Sequence, residues 1–541
     1  MTKRHALAAM LTLMLAATAT AGIHLMPDAT RDEVAPGRQN RTLLTWDLPE
    51  GLLVVDRRSV EAPAFDIAPF MPQIEDGQWY LVDRARSEVD DIAVFGHVHL
   101  AGETVWLIEV APARHDAFLL AGLSLQYLDL APLAPSAAAT VKSDAGPAPT
   151  IVDPAVKNAY VDALEQQAFN QIIREISGDT AFWYNGGPNM VTTRYYNTAG
   201  NDLVTEYLAD KLEGYGYTVE LDEFMSSGHL CHNVVATLPG SVTPEEIIVV
   251  GGHFDSTSPD AGSLAPGAED NASGTSLVME IARVSADREF ERTVQFVLFD
   301  AEEIGLRGSQ HFVDEAVTEG HNIVAAITAD MVSYYDRNYG VTIEGQTEWE
   351  WLMTAMSDNV DAVTDIAFDK TYHSWGSDHV SFQQAGIAAF LAIDQDWSDY
   401  DYYHRTTDTW DKIEATAPLG LQISRAAAGT LADVAGLMDP GTSGVPVVDV
   451  PLVRLTAHPN PFNPMTTISF SLDVPTSGSL TIHDLSGRLV ATVASGDFLA
   501  GEHTVRWTGT DNRGQAMSSG VYLARLQTSV GDVNRKLNLV R

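Results

Sequence analysis

The feature that most constrains the fold is an alternation of apolar strands and helices between residues 151 and 438. Residues 153–178 are predicted to form one helix that ends at a glycine. The segments EEIIVVGGHFDS and TVQFVLFDAEE are predicted to be strands, and GTSLVMEIARVSADR between them a helix. Such alternation is typical of an α/β fold, so we predict a mixed, mostly parallel β-sheet flanked by helices. In such a sheet the loops at the carboxyl ends of the strands carry the functional site.

The regions on either side have a different pattern. Residues 22–130 contain short strands such as ETVWLIEV, which indicate a small N-terminal β-rich domain or pro-region. Residues 131–150 and 439–454 are rich in proline and glycine and are interpreted as linkers. Residues 455–541 contain short strands at regular spacing between turn residues, which predicts a C-terminal Ig-like β-sandwich.

Histidine and acidic side chains follow several of the apolar strands. Residues 253–274, HFDSTSPDAGSLAPGAEDNASG, contain one histidine and four acids, and similar groups occur in FDAEEIGLRGS, AAITADMVSYYD, WGSDHVSF and YYHRTTDTWDKI. Carboxylates that strand ends bring to one rim repel one another and need a cation. Histidine plus carboxylate ligands suit zinc or a similar divalent ion, whereas magnesium and calcium prefer oxygen ligands alone. The set is too large for one ion, so two ions that share a carboxylate are predicted.

The order and spacing of these segments resemble the M28 family of metallopeptidases, the co-catalytic zinc aminopeptidases. The matching residues are His253 and Asp255 in a His-x-Asp pattern, followed by GAEDNASG, DAEEIGLRGS, ADM, SDH and HRTTDTWD. The resemblance covers about residues 153–438. It implies the zinc exopeptidase fold, two Zn²⁺ ions as cofactors, and a cis peptide bond after the acid that bridges them.

The resemblance implies five metal ligands. His253 and Asp330 would bind the first zinc ion alone, and Asp270 would bridge both ions. Glu303 and His404 would hold the second ion.

Two further acids are implied to be catalytic. Glu302 would be the general base that takes a proton from a hydroxide-forming water between the ions and passes it to the leaving amine. Asp255, two residues after His253, could accept the free imidazole N–H and set the tautomer. Adjacent residues on extended backbone point in opposite directions, which supports one base and one ligand in the Glu302–Glu303 pair.

Neighbouring polar groups are given supporting roles. Asp378 and His379 in WGSDH are interpreted as residues that support the pocket and not as ligands. Tyr402 and Tyr403 precede the histidine of the last motif, and either packing or contact with substrate is open for them.

The first 21 residues predict export. Lys3 and Arg4 form a basic end, an apolar run follows, and Ala19-Thr20-Ala21 fits a small-residue cleavage site. The apolar run is too short to span a bilayer comfortably, so a secretory signal peptide and a secreted, extracellular or cell-surface protein are predicted. The single cysteine, Cys231, excludes an intramolecular disulfide.

The charge of the chain argues against two classes of partner. The formal net charge is -41, from 73 Asp and Glu against 32 Lys and Arg. Nucleic acids and anionic membrane surfaces bind clustered cations, so neither is expected as a partner.

The C-terminal region has a resemblance of its own. Its segments HPNPFNPMTTISFSL, IHDLSGRLV and GVYLARL are similar to Ig-like modules of the FlgD type, which resemble the sorting domains of type IX-secreted bacterial proteins. The resemblance implies that Trp507 and Tyr522 fill the sandwich core and that Gly487 and Gly514 form tight turns. It also implies the secretion machinery as a partner, with a plain accessory domain as the alternative.

The sequence therefore predicts a secreted dinuclear zinc aminopeptidase whose substrates are peptides with a free N-terminus. A metallocarboxypeptidase or a glutaminyl-cyclase-like enzyme on the same fold is one alternative. A carboxypeptidase needs cations that hold the substrate carboxylate, and the motifs contain no clear arginine cluster. A non-catalytic binding protein on a peptidase scaffold is a third reading, disfavoured because all six ligand and base positions are filled.

Overall fold

In the computed structural model the described residues are 22–26, 43–48, 51–56, 78–84, 91–128, 152–372, 376–439 and 454–541, with short gaps in 91–128 and in 454–541. The predicted signal peptide, the first predicted linker and nearly all of the second lie outside the described residues. The chain divides into two compact units, Met1–Phe182 with Met190–Asp439, and Trp183–Asn189 with Pro440–Arg541.

The N-terminal region is built from strands, as predicted. A three-stranded sheet has the order β1-β3-β2, and a four-stranded antiparallel sheet has the order β5-β6-β4-β7. The bounds are β1 Gly22–Met26, β2 Leu43–Leu48, β3 Gly51–Asp56, β4 Gln78–Asp83, β5 Gly96–Ala101, β6 Val105–Val110 and β7 Leu125–Tyr127, with helix α1 His115–Leu119.

The α/β region has a mixed sheet of eight strands in the order β10-β11-β13-β12-β14-β17-β15-β16. Four neighbouring pairs are parallel and three are antiparallel, which confirms the predicted mixed, mostly parallel sheet. The bounds are β10 Thr218–Ser226, β11 His229–Leu238, β12 Thr243–His253, β13 Arg292–Phe299, β14 Asn322–Ala329, β15 Gly340–Glu344, β16 Ala367–Thr371 and β17 Ala388–Asp394. A separate pair, β8 Phe182–Tyr184 and β9 Gly187–Asn189, precedes them.

Helices flank this sheet. They are α2 Pro154–Val161, α3 Gln166–Ile176, α4 Ala199–Tyr215, α5 Gly274–Ser285, α6 Arg307–Glu319, α7 Glu350–Val363, α8 His379–Gln384, α9 Trp410–Ile413 and α10 Pro418–Ala435. Phe312 of α6 and Phe382 of α8 belong to one buried cluster with Val249, Val297 and Phe299 of the central strands β12 and β13. These two helices therefore cover one face of the sheet. No helix in the described part of the chain is both long and apolar enough to cross a membrane.

The single helix predicted for residues 153–178 is wrong, because two helices occupy this range. The helix α2 ends at Val161 and α3 begins at Gln166. Between them Glu165 has an extended backbone with φ -119° and ψ 128°, and its N–H donates to a carboxylate oxygen of Glu280 at 2.6 Å. The apolar spacing typical of a helix continues across the break, so the sequence gives no sign of the break. The hydrogen bond to Glu280 forms only in the tertiary structure.

The four-stranded N-terminal sheet shares a hydrophobic core with the loop that follows β13. Tyr80, Ile108 and Phe118 from the N-terminal region belong to one buried cluster with Ala301 and Ile304 from that loop. Burial of apolar surface is the main favourable term in folding, so the N-terminal sheet and this loop stabilise each other.

The last strand of that sheet also contacts the loop through polar groups. The Tyr127 N–H donates to the carbonyl of Gly305 at 3.3 Å, and Gln310 donates to the Tyr127 carbonyl at 3.1 Å. The Arg307 guanidinium lies 3.3 Å from the centre of the Tyr127 ring. Gly305 has φ +107°, and a Cβ there would lie 2.6 Å from the Tyr127 nitrogen, so this close approach requires glycine.

The C-terminal region is a sandwich of two antiparallel sheets with the orders β18-β19-β22 and β21-β20-β23-β24. The bounds are β18 Arg454–His458, β19 Thr466–Leu472, β20 Thr476–Asp484, β21 Leu489–Phe498, β22 Gly501–Trp507, β23 Gly520–Thr528 and β24 Gly531–Leu539. Trp507 and Tyr522 are buried with ring centres 5.3 Å apart, as predicted. Gly514 has φ +77° in a turn, and Gly487 lies outside the described residues.

We predict that Phe118→Ala lowers the free energy of unfolding by about 3–5 kcal/mol, because it empties a fully buried site in the shared core. Urea unfolding followed by circular dichroism measures this change. The control Val94→Ala removes a side chain that is 56% exposed in the same region and should have little effect. A Phe118→Ala transition confined to the N-terminal sheet, with the α/β region as stable as before, would contradict a shared core.

Candidate active site

The site begins at His253, the last residue of β12. The imidazole is buried, and its Nδ1 hydrogen-bonds the backbone oxygen of Asp255 at 3.2 Å and lies 3.4 Å from Asp255 Oδ1. The opposite nitrogen, Nε2, lies 3.6 Å from Asp270 Oδ1 and 3.4 Å from Asp330 Oδ1. The contacts on Nδ1 therefore orient the ring so that Nε2 faces the other acids.

Asp270 lies at the centre of the site. Its Oδ1 faces His253, and its Oδ2 is 3.2 Å from Nε2 of His404. The backbone N–H groups of Glu269 and Asp270 each donate to one carboxylate oxygen of Asp408 at 3.0 Å. The one carboxylate of Asp270 thus lies between two imidazoles, as a bridging ligand would.

The peptide bond after this acid is cis, as the resemblance implied. It joins Asp270 to Asn271. The Asn271 side-chain oxygen accepts hydrogen bonds from the backbone N–H groups of Gly274, at 2.8 Å, and Met331, at 3.2 Å. These bonds connect the loop after β12 to the loop after β14.

Glu302 and Glu303 lie in the loop after β13 and point in different directions. Glu303 Oε2 is 2.9 Å from His404 Nε2, whereas Glu302 Oε2 is 3.9 Å from His253 Nε2. The backbone N–H groups of Glu302 and Glu303 donate to the two oxygens of Asp255 at 3.0 and 3.2 Å. Asp255 therefore contacts both the first histidine and the backbone of both glutamates, which is more than the predicted orientation of one imidazole.

The donor atoms of the site fit metal ions. His253 Nε2, Asp270 Oδ2, Glu303 Oε1 and Asp330 Oδ1 are buried and have no hydrogen-bond partner. The ligand atoms of His253, Glu302 and Asp330 lie within 4.8 Å of one another, and so do those of His253, Asp270 and Glu303. Buried polar atoms without partners are costly, and imidazole plus carboxylate is the donor set that zinc prefers.

The electrostatics of the site are consistent with a bound cation. Burial raises the pKa of Glu302 well above its usual value, and the charges of Glu303 and Asp330 act in the same direction. Burial also raises the pKa of Glu303 to about 7. Burial opposes the protonation of His404, but the charges of Glu303 and Asp270 outweigh it and raise the His404 pKa to about 10. The cluster favours positive charge at its centre, which divalent ions would supply.

Comparison with known proteins identifies the region that carries this site. The sequence profile of peptidase family M28 matches residues 233–424, and all seven predicted site residues lie within that range. The chain contains a peptidase family M28 domain. The FlgD Ig-like domain profile matches residues 463–532, in the C-terminal sandwich.

Two curated relatives show where the likeness lies. Aminopeptidase YwaD of Bacillus subtilis is 32% identical over 185 residues, which are 32% of this chain and 38% of that protein. Leupeptin-inactivating enzyme 1 of Streptomyces exfoliatus is 29% identical over 278 residues, which are 51% of this chain and 56% of that protein. The matches thus span between about a third and somewhat over half the length of these relatives.

Solved structures share the fold. The structure of the LapA aminopeptidase of Legionella pneumophila covers 67% of this chain and 99% of that chain, with a TM-score of 0.51 and 18% identity. LapB of the same organism covers 66% of this chain and all of that chain, with a TM-score of 0.51 and 16% identity. At this level of identity the likeness shows the fold alone.

Arg194 is a residue of the site region that the sequence did not reveal. Its guanidinium is fully buried and donates to the carbonyls of Phe254, Pro266 and Gly267, as well as to Ile176. Burial lowers its pKa to about 10, so it remains cationic at neutral pH. Arg194 thereby holds both ends of the loop that runs between His253 and Asp270. It lies in VTTRYYN, which carries no recognisable motif.

Three residues beside the acids of the M28 domain have left-handed backbone. They are Ala301 with φ 57°, Met331 with φ 49° and His404 with φ 53°. Such conformations are uncommon in residues other than glycine and cluster at functional sites. The surrounding fold therefore holds these loops against their local preference, which no sequence pattern predicted.

Asp378 and His379 are fully buried and are not part of the metal-ligand groups found in the described part of the chain. Burial raises the pKa of Asp378 to about 7, with the charge of His253 acting in the opposite direction. Their role as residues that support the pocket stays a prediction. Tyr403 stacks on His404 with ring centres 3.8 Å apart and lines the pocket of the M28 domain.

We predict that Asp255→Asn weakens zinc binding by about 10–100-fold, because the amide cannot accept both glutamate N–H groups and loses the charge beside His253. Zinc retained after dialysis against graded chelator measures the effect. The control Asp260→Asn changes an exposed acid of the same loop. Equal zinc retention in the two variants would contradict the role of Asp255.

Proposed function

We propose that the M28 domain is a dinuclear zinc aminopeptidase that removes N-terminal residues from peptides. The observation that supports this most is the carboxylate of Asp270, which lies between His253 and His404. Asp330 lies beside the first imidazole and Glu303 beside the second. His253 and Asp330 would hold one ion, Glu303 and His404 the other, and Asp270 would contact both.

The ions, when bound, would polarise the scissile carbonyl and acidify a water molecule. The protein contributes the proton transfer through Glu302, which we assign as the general base. Burial favours the protonated form of this carboxyl, so it can hold a proton and return it to the leaving amine. The N–H of Glu302 is fixed by Asp255, and this bond keeps the base in place.

The pocket favours the amine end of a peptide. It is lined by five acids, Asp270, Glu302, Glu303, Asp330 and Glu344, and none of its described lining residues is lysine or arginine. An α-ammonium group is attracted by excess carboxylates, whereas a C-terminal carboxylate needs a cation to hold it. The aminopeptidases among the curated relatives support the same choice over a carboxypeptidase.

We also propose that the chain is exported and that its C-terminal sandwich engages the secretion machinery. The basic and apolar residues at the N-terminus and the match to the FlgD Ig-like domain support this proposal. Deletion of residues 455–541 in the native host should leave the protein inside the cells. Unchanged release into the medium would leave the sandwich as a plain accessory domain.

We predict that Glu302→Gln lowers hydrolysis of amino-acid p-nitroanilides by about 10²–10⁴-fold while zinc stays bound, because the amide cannot take a proton. Initial rates and zinc content measured on one preparation separate the two effects. Glu220→Gln, at an exposed acid of β10, is the matched control. Near-normal rates in the Glu302 variant would rule out the assigned base, and loss of zinc would make Glu302 a ligand. A zinc-loaded wild type that cleaves no p-nitroanilide would contradict the proposed activity.

A further inference from the structure

The loop that follows β13 carries both glutamates of the site on an uncommon backbone. Ala301 and Leu306, on either side of Glu302 and Glu303, have φ 57° and 62°. Residues other than glycine keep such angles only where the surrounding structure holds them. On the side of the metal site, Asp255 holds the loop through the N–H groups of the two glutamates. The other side of the loop packs on the N-terminal region.

Tyr127, the last residue of β7, contacts the loop from the N-terminal side in three ways. Its N–H donates to the Gly305 carbonyl at 3.3 Å. Its carbonyl accepts from the side-chain amide of Gln310, which also donates to the Gly305 carbonyl at 3.2 Å. Its ring centre lies 3.3 Å from the Arg307 guanidinium. The Nε of Arg307 is buried and has no hydrogen-bond partner, and the ring face gives this cation a cation–π contact instead.

Backbone hydrogen bonds connect these contacts to the base. The N–H groups of Gly305 and Leu306 both donate to the Glu302 carbonyl at 2.8 Å, and the N–H of Arg307 donates to the Ala301 carbonyl at 3.1 Å. The residues that Tyr127 contacts therefore lie one tight turn away from Glu302, and a shift of this turn moves the base with it. A misplacement of about 1 Å can lower the rate of an enzyme by about 100-fold.

Resting on the proposed function, we propose that Tyr127 is a positioning residue for Glu302 and Glu303, and that the N-terminal sheet is thereby a functional part of the enzyme. Asp255 holds the glutamates from the metal side, and Tyr127 holds the same turn from the opposite side. Tyr127 is neither among the described residues that line the pocket nor in a metal-ligand group. It acts on the reaction only through the turn.

The test compares Tyr127→Leu, which removes the ring beside Arg307, with Tyr127→Phe, which keeps it. Leu107→Ala is the control for stability. Leu107 is fully buried in the same sheet, but it lies on the face of β6 opposite to Ile108 and outside the shared core. The readouts are kcat and KM for leucine p-nitroanilide with zinc in excess, and hydrogen exchange, measured by mass spectrometry, of peptides that cover residues 301–307.

We expect Tyr127→Leu to lower kcat by about 10–100-fold at a nearly unchanged KM, because the turn positions groups that act in the chemical step. Hydrogen exchange in residues 301–307 should become at least about tenfold faster in the same variant, because the turn opens more often. Tyr127→Phe should match wild type in both readouts. Leu107→Ala should lower the urea midpoint of unfolding but leave kcat and the exchange of these residues close to wild type.

A Tyr127→Leu variant with wild-type kcat, or with wild-type exchange in the turn, would overturn the proposal. Equal losses in Tyr127→Leu and Leu107→Ala would also overturn it, since both would then reflect stability alone. If Tyr127→Leu does not fold, Arg307→Met removes the charge from the other side of the contact and should give the same two changes.

The two readouts separate this proposal from the proposed function. If the zinc-loaded wild type cleaves no p-nitroanilide, the activity proposal fails, and hydrogen exchange alone decides whether Tyr127 holds the turn. Wild-type exchange in Tyr127→Leu would then overturn the positioning role.

Discussion

The main physical constraint on the M28 domain is the mutual repulsion of its buried carboxylates, which must be compensated. Asp270, Glu302, Glu303 and Asp330 are each less than a tenth exposed and gather around His253. Charges in such surroundings interact far more strongly than in water, because little solvent screens them. A fold that buries this group is stable at neutral pH only if protons or cations compensate the charge, and the unpartnered donor atoms favour metal ions.

The sheet and its neighbours explain how these acids come together. The parallel strands β12, β13 and β14 end at the same rim, which places His253, the two glutamates and Asp330 in adjacent loops. Asp255 then joins the first two loops through backbone N–H groups, and Arg194 holds the carbonyls on both sides of the first loop. The N-terminal sheet packs against the glutamate loop from outside. The site is therefore supported by segments that are far apart in the chain.

Local strand and helix patterns predicted the α/β fold and the terminal sandwich. The resemblance to the M28 family implied the seven site residues, and the structure places them close together. The sequence did not predict the break between α2 and α3, where a long-range hydrogen bond to Glu280 overrides helical periodicity. It also missed Arg194. Arg194 acts on backbone carbonyls, which carry no sequence signal.

Diffraction at the zinc absorption edge from zinc-loaded crystals tests most directly whether two ions share the carboxylate of Asp270. We expect two anomalous peaks about 3.5–4 Å apart, one on either side of the Asp270 carboxylate. A single peak would contradict the dinuclear site. So would zinc bound only at the other group of potential ligands in the described chain, Asp222, His311 and Glu315.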